Sequence, residues 1–427
     1  MRILYVVHQY MPEHVGGTEL YTRWLTHALS RRGHQITIFH RRSAEGIGQE
    51  ERAEEEGVRV LTAWAGVVNP TRRFLATFRD PPMACTFQHV LEEADPELVH
   101  IEHLMGLPVS LVRSIRRRGI PFVITLWDFW WVCANAQLLT NYSQEICDGP
   151  GEYLNCARCA LTRARHPRLW LALPPLIGLL AWRNRLLRRI MQKADALIAP
   201  TEFVRRWYAT YLFKHNVPTK DLLVLQPGLE LPTVTSRKRQ RTNGSVRFAY
   251  IGGLSWQKGV HILVEAFSGV RGHGELWIAG DESFDPTYVA RLRAQATPEV
   301  RFLGRLTREE VWETLAQVDV VLVSSLWYET FSFIVSEAFT AGAIVVASRL
   351  GPLADRVRDG VDGLLVPPGD IAGWRSALQR LVDDPDLLAR LRANVRPPMS
   401  LEEHANSIES LYIQLVEKTP RQRGSSD

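Results

Sequence analysis

Short apolar runs alternate with amphipathic stretches along most of the chain. The run at residues 3–7 is followed by apolar positions at helical spacing over residues 18–31, and then by a second apolar run at residues 35–39. Strands that alternate with helices predict a parallel sheet, so the fold class predicted here is α/β. Further runs predict strands at residues 58–63, 98–101, 120–126, 194–201, 222–225, 246–251, 275–279, 300–303, 319–323, 343–347 and 363–366.

The stretch at residues 324–342 places two acidic side chains in one strand–loop–helix unit. Its apolar positions predict a helix that starts at residue 331 or 332 and ends near residue 340. Glu329 precedes this helix and Glu337 lies on it, with seven residues between them. The loop follows a predicted strand, and the carboxyl ends of strands are where open α/β sheets bind ligands.

This spacing fits a sugar nucleotide. The amides of Ser332, Phe333 and Ile334 lie at the predicted helix start, which favours a phosphate or pyrophosphate. Glu337 lies about 7 Å further along the axis, a distance that suits the hydroxyls of a ribose. Glu329 would reach a sugar on the other side of the phosphates. The residues alone leave a second interpretation open, in which both acids are solvated charges near a helix end.

Glu329, Glu337 and the run at residues 338–348 resemble the E-x7-E signature of retaining GT-B glycosyltransferases of the group 1, GT4-like family. Ser332 stands where many members have glycine, and Ala343 lies where proline is common. The resemblance implies a GT-B fold, in which two Rossmann-like domains face each other across a cleft. It also implies transfer of a sugar from a nucleoside-diphosphate sugar to a glycan, lipid-linked or other acceptor, with retention of the anomeric configuration.

Further residues enter the expected donor site through the same resemblance. The sequence GGLSWQKG, which contains Gly253 and Lys258, resembles a family loop in which the lysine meets the donor pyrophosphate; Gly253 replaces the usual arginine. Gly17 belongs to a G-G-x-E sequence that opens the first helix, and Arg305 lies in a loop that contacts the nucleotide base or a phosphate. Glu329 would hold the donor sugar and stabilise positive charge at its anomeric carbon. Taken alone, the glycine pair predicts a turn and Lys258 a surface lysine.

His103 and Asp128 are the candidates for the acceptor side. Each follows a predicted strand, and both strand ends are expected at the ligand-binding edge of the sheet. Members of the resembled family have histidine where Trp127 stands, and an indole cannot accept a proton. A histidine at a strand end is equally consistent with a structural role.

Four of the five cysteines lie in the insertion at about residues 130–165. Two of them form a C-x2-C pair, and four thiolates suit a structural zinc ion in tetrahedral geometry. The alternative is a cysteine-rich loop without metal. The four candidate ligands are Cys133, Cys147, Cys156 and Cys159.

A basic and apolar segment follows at residues 163–189. Its uncharged centre, residues 169–182, is too short to span a bilayer and contains two prolines. Basic residues on both sides favour contact with an anionic membrane surface. A helical hairpin packed over the N-terminal sheet is the alternative.

Composition sets the broad class of the protein. A chain of 427 residues with 46% hydrophobic and 23% charged residues is typical of a globular protein with two domains. The net charge of +5 suits a phosphate-bearing ligand or an anionic membrane. The sequence lacks a basic stripe interleaved with aromatic residues, which would indicate nucleic-acid binding. The N-terminus predicts a strand rather than a signal peptide, so we expect a cytoplasmic location, which includes the inner face of the membrane.

No D-x-D sequence occurs in a suitable context, so we expect transfer without a catalytic metal ion or other cofactor. A sugar-nucleotide epimerase of GT-B fold and a non-catalytic sugar-nucleotide-binding scaffold are the alternative functions. An acceptor-binding domain is predicted at residues 1–230, a basic linker at 231–245 and a donor-binding domain at 246–399. A C-terminal helix packed on the first domain is predicted at residues 400–418, and a disordered tail at 419–427.

Overall fold

The computed structural model describes two α/β units. The described residues are 1–12, 16–43, 47–66, 69–166, 169–217, 222–231 and 245–419. One unit comprises Met1–Gly228 together with the described chain from Ser400 onward, and the other comprises Leu229–Met399. Most of the predicted linker and nearly all of the predicted tail lie outside the described residues.

The first unit is built on an eight-stranded sheet with the order β3-β4-β2-β1-β5-β6-β7-β8. All neighbouring strands are parallel except β3, which runs antiparallel to β4. The parallel arrangement confirms the predicted fold class. The strands are β1 (Arg2–Val7), β2 (Gln35–Arg42), β3 (Ile47–Glu55), β4 (Val58–Ala65), β5 (Leu98–Ile101), β6 (Phe122–Thr125), β7 (Ala196–Ala199) and β8 (Leu222–Val224).

The edge strand β3 has no counterpart in the apolar pattern. Its described side chains are mainly charged and include Glu50, Arg52 and Glu54. Native edge strands commonly carry charged side chains, because these discourage pairing with another chain. An apolar run is therefore not expected in this strand. Pairing with β4 therefore decides its conformation, and hydrophobic periodicity could not have located it.

The first helix begins at Gly17, one residue before the start predicted from the apolar pattern. Its N-cap is Gly16, and no side chain caps it. Thr18 lies inside the first turn, where its carbonyl accepts a hydrogen bond from Thr22 Oγ1. The helices are α1 (Gly17–Arg31), α2 (Pro70–Ala76), α3 (Pro81–Ala94), α4 (Ser110–Arg117), α5 (Leu154–Arg163), α6 (Leu173–Lys193) and α7 (Glu202–Lys214).

Helix α6 contains most of the basic and apolar segment. Its second half is packed into the unit, with Arg183, Leu187 and Ile190 buried, whereas its first half is largely uncovered. A search of the described helices found none with the length and apolar character needed to cross a membrane.

The second unit has a six-stranded parallel sheet with the order β11-β10-β9-β12-β13-β14. Its strands are β9 (Val246–Ile251), β10 (Gly274–Ala279), β11 (Val300–Gly304), β12 (Val320–Val323), β13 (Ile344–Ser348) and β14 (Gly363–Val366). Its helices are α8 (Val260–Phe267), α9 (Pro286–Gln295), α10 (Arg308–Leu315), α11 (Phe333–Thr340), α12 (Pro352–Arg356), α13 (Ile371–Asp383) and α14 (Pro385–Ala393).

Both faces of this second sheet are covered, which explains the continuous apolar runs of its strands. Along β12, Val320 and Leu322 join the core beneath α8, α9, α13 and α14, while Val321 and Val323 join the core beneath α10, α11 and α12. The loops that follow β9 and β12 therefore emerge from a packed, rigid sheet.

The last helix, α15 (Leu401–Lys418), belongs to the first unit. A capping box between Ser400 and Glu403 starts it. Its Tyr412 hydroxyl lies 2.8 Å from Tyr5 Oη and 2.5 Å from His100 Nδ1, and all three side chains are buried. Hydrogen bonds to β1 and β5 thus attach the end of the chain to the middle of the first sheet.

We expect Tyr412→Phe to lower the free energy of unfolding by about 1–3 kcal/mol, because Tyr5 and His100 would each lose a buried hydrogen-bond partner. Denaturant titration measures the change. Ile413→Ala, at the neighbouring half-exposed position, is the control and should change the free energy by less than about 0.5 kcal/mol. Equal stability of Tyr412→Phe and wild type would contradict the assigned role of this contact.

Candidate functional site

In the second unit, Lys258 and Glu329 form an ion pair between two loops. Lys258 Nζ lies 2.8 Å from Glu329 Oε1. The same oxygen accepts hydrogen bonds from Ser325 Oγ at 2.5 Å and from Trp327 Nε1 at 3.0 Å. Burial raises the pKa of Glu329, but the charge of Lys258 and these hydrogen bonds outweigh it, so the pKa is lowered overall. Glu329 is therefore an ionised carboxylate held in a fixed position.

Backbone packing locks the two loops together. Gly259 has a φ of +71°, and a Cβ there would lie 2.1 Å from the carbonyl oxygen of Ser324. Ser324 Oγ donates to the carbonyl of Lys258 at 2.9 Å, and the amide of Leu326 donates to Gln257 at 2.8 Å. The glycine after Lys258 thus allows the close approach that places the ammonium group beside Glu329.

Helix α11 begins at Phe333, one or two residues later than predicted. Ser332 is its N-cap and has φ 63° and ψ 80°, a left-handed conformation that cannot continue a helix. The same conformation explains why glycine is common at this position in the resembled family. Phe333 and Ile334 therefore occupy the first turn, whose amides point along the helix axis towards its N-terminal end.

Arg356 contacts the start of this helix, and no pattern in the sequence indicated this role. Its guanidinium donates to the carbonyl oxygens of Phe331 and, at 2.7 Å, Ser332, and it donates to Ser336 Oγ at 2.5 Å. Burial lowers its pKa to about 9, which leaves it charged at neutral pH. A fixed positive charge therefore lies close to the helix N-terminus, and both favour an anion there.

Glu337 forms an ion pair with a second residue that the sequence did not indicate. Arg308 Nη1, on α10, lies 2.6 Å from Glu337 Oε1, and the Glu337 side chain is buried. Burial raises its pKa; the charge of Arg308 opposes this shift without cancelling it. Glu337 is four positions after Phe333, so this ion pair lies about 6 Å along the axis from the helix start.

Gly253 and Arg305 are less closely tied to the ion pair. Gly253 is exposed, and a Cβ at this position would contact nothing within 4 Å, so there is open space where the resembled family has arginine. Arg305 is mostly exposed, with Nη1 at 3.8 Å from Asp281 Oδ2. The loops that carry them are nonetheless neighbours, because the amide of Gly252 donates to Ala279 at 3.0 Å and that of Gly280 to Gly304 at 2.9 Å.

In the first unit, the ends of β5 and β6 bring His103 and Asp128 together. His103 Nε2 lies 3.1 Å from Asp128 Oδ2, and His103 Nδ1 accepts a hydrogen bond from the amide of Met105 at 3.0 Å. Because Nδ1 accepts a hydrogen bond, the ring proton lies on Nε2, which donates a hydrogen bond to the Asp128 carboxylate. Both ring nitrogens are thus engaged, and the His103 side chain is buried. Asp128, 30% exposed, is the member of the pair that a ligand can reach.

Trp127 lies in the core of the first unit, whereas Gly17 is exposed at the start of α1. Trp127 is buried, donates from Nε1 to Glu102 Oε2 at 2.5 Å and packs edge-on against Tyr21. It is part of the core rather than a ligand-facing replacement for the family histidine. Gly17 is the exposed first residue of α1. Gly16, before it, lacks the Cβ that would come within 2.6 Å of a Glu19 carboxylate oxygen.

The sequence analysis did not single out Glu102, which is fully buried. Its Oε1 has no hydrogen-bond partner within the described chain and lies 3.6 Å from His100 Nε2. Burial raises the pKa of Glu102 to about 8 and lowers that of His100 to about 3. Both groups are therefore neutral at pH 7, and their contact is not an ion pair. An acid directly after an apolar strand, in the sequence VHIEH, was the available signal.

The cysteine insertion does not show the expected ligand geometry. Cys156 and Cys159 lie on α5 rather than in a turn, and Cys159 Sγ accepts from the amide of Asn141 at 3.2 Å. All four predicted ligands are free thiols, and burial raises the pKa of Cys156 to about 12 and that of Cys159 to about 11. Within the described chain no group of three or more His, Cys, Asp or Glu side chains is arranged to hold a metal ion. The zinc ion stays a prediction.

Comparison with known protein families decides the class to which these two units belong. A model described as "Glycosyl transferase 4-like domain" matches residues 16–228, and one described as "Glycosyl transferases group 1" matches residues 245–384. The chain is a group 1 glycosyltransferase. The family resemblance noted from the E-x7-E stretch is therefore confirmed, and the enzyme class with it.

Two curated relatives align with nearly the whole glycosyltransferase. Glycogen synthase of Mycobacterium tuberculosis is 26% identical over 398 residues, which cover 90% of this chain and 87% of that protein. D-inositol 3-phosphate glycosyltransferase of Corynebacterium urealyticum is 26% identical over 432 residues, with 94% and 91% covered. The names of these relatives point to different acceptors, so the similarity does not identify the acceptor used here.

Solved structures confirm the GT-B fold of the glycosyltransferase. Sucrose-phosphate synthase from Thermosynechococcus elongatus is similar, with a TM-score of 0.72, 18% identity and coverage of 97% of this chain and 99% of that one. The Anabaena protein HepE, solved in complex with UDP and glucose, has a TM-score of 0.66 at 18% identity, with 96% and 99% covered. At this level of identity, the likeness shows the fold and not the substrate.

Glu102 gives the glycosyltransferase a predictable pH dependence of stability. The folded state holds the Glu102 proton up to about pH 8, whereas the unfolded state releases it near the ordinary value of 4.5. The contribution of Glu102 to the free energy of unfolding is therefore fully present below about pH 4.5. It is lost as the pH rises to about 8, by up to about 1.4 kcal/mol per pH unit. Glu102→Gln should remove this slope.

Denaturant titrations at pH 5, 6.5 and 8.5 measure this effect. The stability of Glu102→Gln relative to wild type is expected to rise steadily across the series. Glu92→Gln, at an exposed position, is the control and should follow wild type. If the curves for Glu102→Gln and wild type run parallel with pH, Glu102 is not protonated in the folded enzyme.

Proposed function

We propose that this group 1 glycosyltransferase binds a nucleoside-diphosphate sugar on its second unit and transfers the sugar to a hydroxyl held by its first unit. The observation that carries the proposal is the Lys258–Glu329 pair, held between the loops after β9 and β12 beside the N-terminus of α11. An ammonium group, helix amides and two carboxylates are the groups needed for a pyrophosphate flanked by two sugars.

Lys258 and the first turn of α11 would hold the pyrophosphate. The ammonium group has three N–H bonds and uses one on Glu329, and its side chain is 27% exposed. The amides of Ser332, Phe333 and Ile334 supply the helix-start donors, and the backbone amide of Gly253 is a further donor at the position where the family has arginine. As the bond to the donor sugar breaks, these groups offset the charge that develops on the leaving diphosphate, without a metal ion.

The two carboxylates have separate tasks in this proposal. Glu337, oriented by Arg308, accepts hydrogen bonds from the ribose hydroxyls, and Arg305 contacts the nucleotide at the neighbouring loop. Glu329 already takes three hydrogen bonds on Oε1, so its other oxygen, Oε2, would accept from the donor sugar. Its negative charge then stabilises the positive charge that develops at the anomeric carbon.

Asp128 would receive the acceptor hydroxyl, with Gly17 contributing backbone at the start of α1. The carboxylate is half-buried, and His103 fixes one oxygen while the amide of Trp130 donates to the other at 2.7 Å. His103 acts as a positioning residue, because its proton already lies between Nε2 and Asp128. Retention of the anomeric configuration is proposed from the E-x7-E resemblance, and no side chain is assigned as a covalent nucleophile.

We expect Glu337→Gln to weaken binding of the nucleotide sugar by about tenfold or more, because charge-assisted hydrogen bonds to the ribose become neutral ones. Titration calorimetry with UDP-, GDP-, ADP- and dTDP-glucose measures the affinities and identifies the preferred base. Glu309→Gln, exposed on α10 beside Arg308, is the control and should bind like wild type. Equal affinities of Glu337→Gln and wild type, or no binding of any donor, would contradict the proposed donor site.

We expect Asp128→Asn to reduce sugar transfer by about 100-fold or more while leaving the donor dissociation constant unchanged, because the carboxylate that accepts the hydroxyl proton is lost. Transfer of labelled sugar is followed with saccharides, inositol phosphate and a membrane lipid extract as acceptors. Asp148→Asn, at an exposed position in the same unit, is the control.

The same assay separates the alternative functions. A labelled glycoside shows transfer, an isomerised donor without acceptor would indicate an epimerase, and a donor bound but unchanged would indicate a scaffold. Membership of a glycosyltransferase family favours the first outcome. Full transfer by Asp128→Asn would rule out the acceptor-binding role of that carboxylate.

A further inference from the structure

One face of α6 is exposed along its whole length and changes in character from apolar to basic. Residues at helical spacing, beginning one turn before the helix, share this face. They are Leu171, Pro174, Pro175, Gly178, Trp182, Arg185 and Arg189. All ten residues from Leu173 to Trp182 are uncharged and non-polar, yet Leu180 is the one among them that the described chain buries. Packing among the residues that the structure describes does not account for this half of the helix.

Large apolar side chains adjoin this face and enlarge it. Leu169, Trp170 and Leu171 precede α6 and are 51%, 66% and 91% exposed. Trp182 is 53% exposed and stacks on Phe78 at 4.6 Å between ring centroids, which brings the end of α2 alongside. Together with the exposed face of α6, these side chains form a surface that we call the α6 surface. Contiguous exposed apolar surface of this kind marks an interaction site.

The two segments that carry the α6 surface bear charge of one sign. From residue 153 to residue 193 the sequence contains nine Lys and Arg and no Asp or Glu, although the whole chain has 51 basic and 46 acidic residues. Residues 69–79, which include α2, contain three arginines and no acid; the nearest acid in sequence, Asp80, caps α3. Positive charge is therefore concentrated beside the exposed apolar side chains.

Exposed apolar side chains next to basic residues favour an anionic bilayer over a second copy of the chain as the partner of this surface. An apolar face bordered by basic residues fits the boundary between the acyl chains and the headgroups of an anionic bilayer. A second copy of the chain, packed two-fold on the same surface, would offer Arg185 and Arg189 no acidic partner from residues 153–193, because that segment contains no Asp or Glu. The uncharged stretch from Trp170 to Trp182 extends about 18 Å, too short to cross the hydrocarbon core but long enough to lie along its surface.

We propose that the α6 surface docks the glycosyltransferase on an anionic lipid bilayer. The side chains of Trp170, Leu171 and Trp182 enter the headgroup boundary, and Arg185 and Arg189 contact lipid phosphates. Docking of this kind involves neither the donor nor the acceptor groups of the proposed function, and it holds whichever nucleotide the second unit binds.

Flotation of the full-length protein with lipid vesicles tests the proposal. Wild type should float with phosphatidylcholine vesicles that contain about 30% phosphatidylglycerol, and much less with phosphatidylcholine alone. Leu171→Asp and the double variant Arg185→Glu/Arg189→Glu should each reduce the bound fraction about tenfold or more, because one removes apolar insertion and the other reverses the attraction to phosphate. High salt should release wild type as well.

Matched controls lie in the second unit. Phe284→Asp replaces a side chain that is 77% exposed, and Arg390→Glu reverses an exposed charge on α14; both should float like wild type. Leu171 is almost fully exposed, so its replacement should leave the thermal unfolding midpoint unchanged, and this is checked for each variant. Donor titration in solution, without vesicles, shows independently whether the nucleotide site is intact.

Three results would overturn the proposal. The first is the absence of wild type from the floated fraction at every anionic lipid content, and the second is equal flotation with neutral and anionic vesicles. The third is the conversion of a dimer, detected by light scattering, into a monomer by Leu171→Asp, which would show that a second copy covers the α6 surface.

Discussion

The contact between Lys258 and Glu329 is the interaction on which the proposed donor site depends. It joins the loop after β9 to the loop after β12, and the two loops are also fixed by the close approach of Gly259 to Ser324. A buried carboxylate stays ionised only when charges and hydrogen bonds compensate for lost hydration, and here one ammonium group and two neutral donors do so on a single oxygen. The site is therefore organised before any ligand arrives.

A second constraint shapes the strand ends of the first unit. His100 and Glu102 are buried and neutral, and they connect through Tyr412 and Trp127 to α15 and to the edge of α1. This neutral layer lies next to His103 and Asp128, of which only the carboxylate retains exposure to solvent. Asp128 is thus the accessible acid in this region, whereas Glu102 is protonated and belongs to the core.

The sequence could predict whatever depends on periodicity or short spacing. Apolar runs located the buried parallel strands, because both faces of each sheet are covered, and the E-x7-E spacing identified the family. The partners that orient these residues could not be predicted, because Arg308 and Arg356 reach Glu337 and Ser332 through space from segments with no fixed spacing to them. The charged edge strand β3 was missed for the same reason, since its pairing with β4 and not its own pattern makes it a strand. The start of α11 was placed too early because the left-handed conformation of Ser332 leaves no trace in side-chain periodicity.

Binding of the donor diphosphate by Lys258 and the first turn of α11 can be tested with a crystal structure of the enzyme in complex with the nucleoside diphosphate selected by titration. We expect phosphate oxygens within hydrogen-bond distance of Lys258 Nζ and of the amides of Phe333 and Ile334, and ribose hydroxyls at Glu337. A nucleotide bound elsewhere, with Lys258 contacting only Glu329, would contradict it.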